Sequence, residues 1–398
     1  MKLGGNDLTG IILTQYNGKI IGPIAKLLGY LMNAIFEFLN MIKIPNIGLS
    51  IIIFTIVIYL LLMPLTIKQQ KFSKLSAKMN PELQAIQKRY KDKKDNDSMM
   101  AMNAETKAVY AKYGVSPSGS CLQLLIQMPI LFALYRVIYN MPAYVTRIRD
   151  AFGVIADSII ASGKVSEIQN LKVAAAYARN FAIDERNAVI DVLYVMNNKD
   201  LAAYATGHED VLEQISHFNN FLGINIANSP SFMISDAWNA EGGPQILLII
   251  AALLIPLLSA FTQWLNVKLM PQQAQQDDKN VSDQQASMQQ SMKMMNNFMP
   301  IMSAVFCFTL PSGMGLYWIV GAVVRSIQQV LINKHIDKMD IDEVIKKNEE
   351  KQKKKLIKAG IDPNTVNKNA TMNTRNVAAP SQKTSMASRA NANTSHLS

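Results

Sequence analysis

The sequence predicts an all-α integral membrane protein, a bundle of five transmembrane helices with a helical hairpin on the cytoplasmic side. Apolar residues are gathered into blocks that a soluble core of 398 residues would not need. Four of these blocks, 48–66, 117–140, 244–267 and 314–332, come near the roughly 20 helical residues that cross about 30 Å of hydrocarbon. A fifth, 296–310, reaches only about 22 Å at roughly 1.5 Å per residue, so it needs a kink, length borrowed from its Met-rich flank, or a thinner bilayer. The net charge of +11 is the third observation, because the basic residues lie mainly in segments beside the apolar runs. Membrane topology accounts for that placement better than a specific nucleic-acid sequence as partner.

Residues 1–46 are expected to lie outside the cell. Ile24, Leu27, Leu28, Leu31, Ile35, Phe36 and Leu39 follow helical spacing, with Lys26, Tyr30, Asn33, Glu37 and Asn40 on another face. Lys26 and Glu37 suit a helix lying flat on the outer surface, with a sixth crossing helix as the alternative. No basic region, apolar stretch and small-residue cleavage site follow one another here, so the N-terminal tail is expected to cross uncleaved. Transmembrane helix 1 is assigned to 47–67. The loop at 68–116 carries Lys68, Lys71, Lys74, Lys78, Lys88, Arg89, Lys91, Lys93, Lys94, Lys107 and Lys112, which marks it as cytoplasmic by the positive-inside rule. Leu75, Met79, Leu83, Ile86 and Tyr90, then Met99, Met102, Val109 and Tyr113, recur every three or four residues and predict two antiparallel helices, with Asp95, Asn96 and Asp97 at the turn.

Transmembrane helix 2 is assigned to 117–140. The segment 141–243 is acidic overall and is expected outside, with helices over 174–194. Helix 3 takes 244–268, a glutamine-rich cytoplasmic loop 269–293, helix 4 294–312 and helix 5 313–333. The tail 334–398 is basic and cytoplasmic, and after Gly360 it is too poor in large apolar residues to fold. Five crossings with a cytoplasmic first loop put the N-terminus outside and the C-terminus inside. Cys121 and Cys307 both fall inside apolar runs and read as small hydrophobes.

Several segments resemble the YidC insertase family, in order and at comparable spacing. The first crossing reads Ile47-Gly48-Leu49-Ser50-Ile51-Ile52-Ile53-Phe54-Thr55-Ile56, with Pro64-Leu65 ahead of Lys68-Gln69-Gln70. Tyr113-Gly114-Val115-Ser116-Pro117 leads into the most specific stretch, Leu124 through Arg136, which contains Gln127-Met128-Pro129. Met292-Lys293-Met294-Met295 continues through Met299-Pro300-Ile301 to Leu310-Pro311-Ser312-Gly313 and Leu316-Tyr317-Trp318. The likeness covers about residues 20–140 and 215–335, and the long segment between them departs from compact members.

That resemblance implies a bacterial plasma-membrane protein without a cofactor. Its five-helix bundle would hold a polar groove, open to cytoplasm and lipid but closed towards the outside. The hydrophilic part of an incoming membrane protein would rest in the groove and its apolar helix would end in lipid. Nascent membrane proteins and the bilayer are the implied partners, with a ribosome at the Lys-rich tail and the Sec translocon as further ones, although solvation alone explains the tail's lysines equally well. Many members carry an arginine in the groove on the first core helix, and matching Thr55-Ile56 and Leu61-Leu62-Met63-Pro64 puts Tyr59 at that position. Arg325 on the last helix falls on roughly one face with Tyr317 and Trp318. Counted from the inner ends, Tyr59 and Arg325 both lie about 10 to 13 Å deep, so the charge is expected to have moved between facing helices. The competing reading is an arginine that snorkels to the inner interface.

Gln123 and Gln127 share one face of the second crossing helix, and Gln263, Asn266 and Asn296 are further groove candidates, although buried amides also simply join helices. Met294, Met295 and Met299 offer a soft surface to varied apolar partners, with gap-filling as the alternative. Enzymatic chemistry is not expected: His208, His217, His335 and His396 do not cluster, and neither a phosphate loop nor a nucleophile beside a base is visible. A solute transporter would want internal repeats, which the chain lacks. A passive ribosome-docking scaffold would leave Arg325 without a purpose.

Overall fold

The computed structural model describes residues 15–16, 18–90, 93, 95–115, 119–196, 198–240, 242–269 and 283–358; at 119–124, 126, 198, 283–293, 295, 296 and 356 it describes backbone alone. The chain forms two compact units. One comprises Met1–Gln70, Ser120–Pro271 and Gln289–Ile336, and the other Lys71–Gly119, Gln272–Met288 and Asp337–Ser398.

The first unit opens with α1 (Ile21–Met41), which buries Ala25, Leu28, Met32, Ile35, Phe36 and Leu39. Leu27, expected on this apolar face, points away from the protein together with Tyr30, Phe38 and Met41, so the helix has a second, exposed apolar face. Its polar face is tied down: Asn33 accepts from the Thr146 amide at 3.0 Å and Glu37 pairs with Arg147 at 2.8 Å. Gly29 lets the Tyr144 ring approach, since a Cβ there would lie 2.3 Å from it.

Helix α2 (Ile47–Leu61) starts at Asn46, whose side chain accepts from the Leu49 amide, and its mean apolarity leaves no polar face. α3 (Met63–Tyr90) follows after a single residue. α5 (Gly119–Tyr139), α14 (Ile246–Leu269), α15 (Asp283–Thr309) and α16 (Ser312–Asp337) are the remaining long apolar helices. Prolines 129, 256 and 300 sit inside three of them, as neighbouring helices in a membrane allow. By length and composition α14 and α16 are each able to cross a membrane. α2 and α3 add a third span if that pair, bent by 56°, is taken as one. The apolar part of α15, Asn297–Thr309, is shorter, but the helix begins at Asp283, well inside the segment expected as a loop. Gln, Ala and Met are good helix formers, and nothing in 283–296 breaks the turn.

Between α5 and α14 the chain builds a packed helical region: α6 (Met141–Tyr144), α7 (Thr146–Ala161), α8 (Val165–Gln169), a 3-10 turn (Lys172–Tyr177), α9 (Ala178–Phe181), α10 (Glu185–Val195), α11 (Asn198–Tyr204), α12 (Glu209–Asn219) and α13 (Pro230–Trp238). Phe152, Ile155, Val189, Leu193, Ile215 and Phe218 join its core to that of α1 and α2. A small hairpin, β1 (Asn220–Phe221) and β2 (Ile224–Asn225), was not foreseen; two-residue strands are too short to show alternation. Its loop, Leu222-Gly223, has positive φ at both positions, 54° and 82°, the pattern of a type I′ turn. Leucine in that backbone region costs about 1–2 kcal/mol, whereas glycine does not.

Proximity to helix ends explains where the hairpin sits. The Asn46 amide donates to the Asn220 and His217 carbonyls at 2.8 and 3.2 Å. Phe221 fills the space over Gly48. At the start of α16 the Ser312 and Gly313 amides donate to the carbonyls of Asn228 and Ile226 at 2.8 and 3.0 Å. Backbone donors that a helix leaves unmatched are thus satisfied.

The second unit is helical too. α3 and α4 (Asn96–Tyr113) bury Leu75, Met79, Ile86, Tyr90, Ala101 and Tyr113. Met99, expected in this seam, is exposed. A third helix, α17 (Ile341–Lys358), contributes Ile345, with Ile341 and Val344 beside it. Lys74–Asp337 and Lys78–Asp342 pairs and an Asn348 amide donating to the Tyr113 carbonyl at 2.9 Å hold it. Burial raises the Glu82 carboxyl, but hydrogen bonds from Lys112 and Tyr113 outweigh it and leave it below its usual range. The same burial and the Glu82 contact push the Tyr113 phenol up to about 12.

Candidate functional site

Three helices, α2, α14 and α16, bring a cluster of polar side chains together inside apolar surroundings. Tyr59, buried on α2, lies against α16 because residue 321 is glycine: a Cβ there would stand 3.0 Å from the tyrosine ring. Small residues allow such close approach in membrane bundles. One turn further along α16, Arg325 donates through Nη1 to the Tyr59 hydroxyl and through Nη2 to Gln263 Oε1 on α14 at 3.1 Å. Its guanidinium carbon is 5.4 Å from the centre of the Tyr59 ring, within cation–π range. Tyr317 is buried beside Tyr59. The Asn266 amide reaches Ser326 Oγ, one residue along from Arg325, at 3.4 Å.

A second layer of amides was missed by sequence reasoning. Gln328 donates to the Tyr59 carbonyl at 2.9 Å, and its own Oε1 is buried without a partner among the described residues. Gln329 and Gln70 exchange amide hydrogen bonds, and Gln329 also donates to Asn333 at 2.9 Å. Two adjacent glutamines one turn from Arg325 in a largely apolar helix are a visible signal, because a buried amide is costly unless matched.

Of the residues singled out from the sequence, the structure joins Arg325, Tyr59, Gln263, Tyr317 and Asn266. Trp318 is half-buried and packs on Phe306, with ring centres 6.1 Å apart. Gln127 is half-buried on α5, apart from these hydrogen bonds. Met294 and Met299 are exposed on α15. The side chains of Gln123, Met295 and Asn296 lie outside the described residues.

Chemically the cluster offers a fixed positive charge whose partners here, a phenol and an amide, are both neutral. A guanidinium has five N–H donors, so donors remain for an incoming acceptor. Among the described residues no three His, Cys, Asp or Glu side chains gather as a metal site.

A family model described as "60Kd inner membrane protein" matches residues 38–339. The membrane protein insertase YidC of Fusobacterium nucleatum is 40% identical over 117 residues, covering 28% of this chain and 55% of that protein. The YidC of Oceanobacillus iheyensis is 45% identical over 95 residues, 24% of this chain and 37% of its own length. The membrane protein insertase MisCA of Bacillus subtilis is 43% identical over 98 residues, 25% and 37% of the two chains. Each alignment thus spans about half or less of the relative's length. The family match, in contrast, extends from the last turn of α1 to the end of α16 and includes every residue of the Arg325 cluster, and on that ground this membrane protein belongs to the 60Kd inner membrane protein family.

Proposed function

We propose that this protein is an insertase and chaperone that helps other membrane proteins enter the bilayer through a hydrophilic groove open to cytoplasm and lipid. The observation that carries this reading is Arg325, held among neutral hydrogen-bonding side chains within apolar helices. An arginine near the middle of a crossing helix costs about 2.5–3.5 kcal/mol even on insertion scales, so its retention points to use. Polar cargo meeting a dry bilayer would lose several kcal/mol for each unmatched group, and amides and a guanidinium in the inner leaflet lower that barrier. No separate energy source is required when the cargo's apolar helix finishes in lipid.

In this reading α2 with the start of α3, then α5, α14, α15 and α16, make the five crossings, with the N-terminus outside and the lysine-rich 68–116 loop and the C-terminus in the cytoplasm. Arg325 stands in for the arginine that other members carry on the first core helix, and Tyr59, at that vacated position, orients it. Gln127, Gln123, Gln263, Asn266, Asn296, Tyr317 and Trp318 line the groove, and Met294, Met295 and Met299 meet apolar segments of cargo. A ribosome at the α17 lysines and the Sec translocon are the partners proposed beyond nascent chains.

Site-directed photocrosslinking tests it. Probes placed at Gln127 and Tyr317 are expected to capture a ribosome-bound nascent membrane protein, whereas a probe on exposed Lys164 is not. Equal capture at all three positions, or at none, rejects the groove.

A further inference from the structure

The tip of the β1–β2 hairpin combines two features that an aqueous surface does not reward. Leu222 occupies the left-handed region at φ 54°, where Asn or Gly is the usual choice, and its side chain is 83% exposed. Asparagine followed by Gly223 would relieve the backbone and suit water at once. A bulky residue in strained backbone persists when its surroundings compensate it.

The position of the hairpin says what those surroundings are. Phe221 packs on Gly48 in the first turn of α2, the Ile226 and Asn228 carbonyls accept from the amides that begin α16, and β2 lies against α14. The hairpin is therefore fixed at the first turns of two apolar helices, α2 and α16, and beside a third, α14. Exposed apolar side chains continue at the same ends of those helices: Ile42 and Ile44 just before α2, and Trp238 and Leu247 on either side of the α13–α14 link. Tryptophan beside a crossing helix is a usual marker of the headgroup level.

We propose that Leu222 is a lipid anchor: the turn dips into the acyl-headgroup boundary of the outer leaflet and pins the 219–228 segment over the outer ends of α2 and α16. The occupant is lipid, because the neighbouring surfaces run directly into the apolar faces of crossing helices. This contact stands apart from the groove and does not depend on insertase activity.

The test uses the full chain with Cys121 and Cys307 replaced by alanine, a Leu222→Cys substitution labelled with an environment-sensitive fluorophore, and reconstitution in phosphatidylcholine–phosphatidylglycerol vesicles at one protein per several thousand lipids. A nitroxide at carbon 5 of the lipid chain is expected to quench this probe at least threefold more than one at Lys164→Cys, with blue-shifted emission. Equal quenching, or burial of the probe without lipid quenching as contact with a second copy would give, overturns the proposal. As a label-free check, Leu222→Asn is expected to lower the thermal midpoint in those vesicles; a raised midpoint, the result expected if only turn strain mattered, overturns it as well.

Discussion

Half-buried in an apolar helix, Arg325 is held by the groups around it: a phenol, an amide and the face of an aromatic ring. Arg325→Ala is expected to abolish growth complementation in a strain depleted of its own insertase, at equal membrane levels, and Arg325→Lys to retain part of it because the charge survives without the fork of donors. Undiminished activity in the alanine variant removes Arg325 from the mechanism. Asp191 on α10 presents the opposite case, a buried carboxyl with one oxygen unmatched among the described residues. Burial raises it from 3.8 to about 7, against a hydrogen bond from Asn180 and with help from Asp184. The folded chain then holds a proton that the unfolded chain releases, so stability falls as pH rises from about 4 to about 7 and levels off above, at about 1.4 kcal/mol per pKa unit. Asp191→Asn is expected to flatten that fall and raise the thermal midpoint at pH 7.5; the same pH slope in the variant contradicts the assignment.

Elements differ in how plainly the sequence announces them. The apolar runs of α14 and α16 are legible because nothing but lipid asks for such length, and Arg325 and Tyr59 stand out as interruptions of that pattern. Gln263 and Asn266 were readable as polar residues but not as partners, since spacing along one helix does not reveal which helix faces it. Ser259 and Ser303, 2.5 Å apart across α14 and α15, are invisible for the same reason. α17 is a further example: Ile341, Val344 and Ile345 are spaced for a packed face, yet they stand in a run of lysines that solvation alone accounts for. Ile345→Asp is expected to destabilise the packing of α17 on α3 and α4 by roughly 3 kcal/mol, the scale of a buried unpaired charge. Limited proteolysis of the membrane-bound protein would show it as faster cleavage within 341–358, and unchanged cleavage would mean that the helix is not held there.

For the molecule as a whole, tertiary contacts decide what periodicity cannot. The region between α5 and α14 reads in sequence as an enlarged, mixed and moderately polar loop with helices over 174–194, but it folds as a packed unit because α7 and α12 each bury one face and α10 is buried on all sides from 187 to 194. Its carbonyls at 226 and 228 complete the first turn of α16, which a reading of either segment alone would not find. The neutral company kept by Arg325 has an electrical corollary. A charge not cancelled by a neighbour, part of the way through an insulating layer, feels the voltage across that layer; one elementary charge moved through 100 mV amounts to about 2.3 kcal/mol. With an inside-negative potential of that size the guanidinium is drawn towards the cytoplasm, by about 0.8 kcal/mol if a third of the drop falls across its depth. Crosslinking yield from Tyr317 in energised vesicles is accordingly expected to change when an ionophore collapses the potential, and to be insensitive to it in the Arg325→Ala protein.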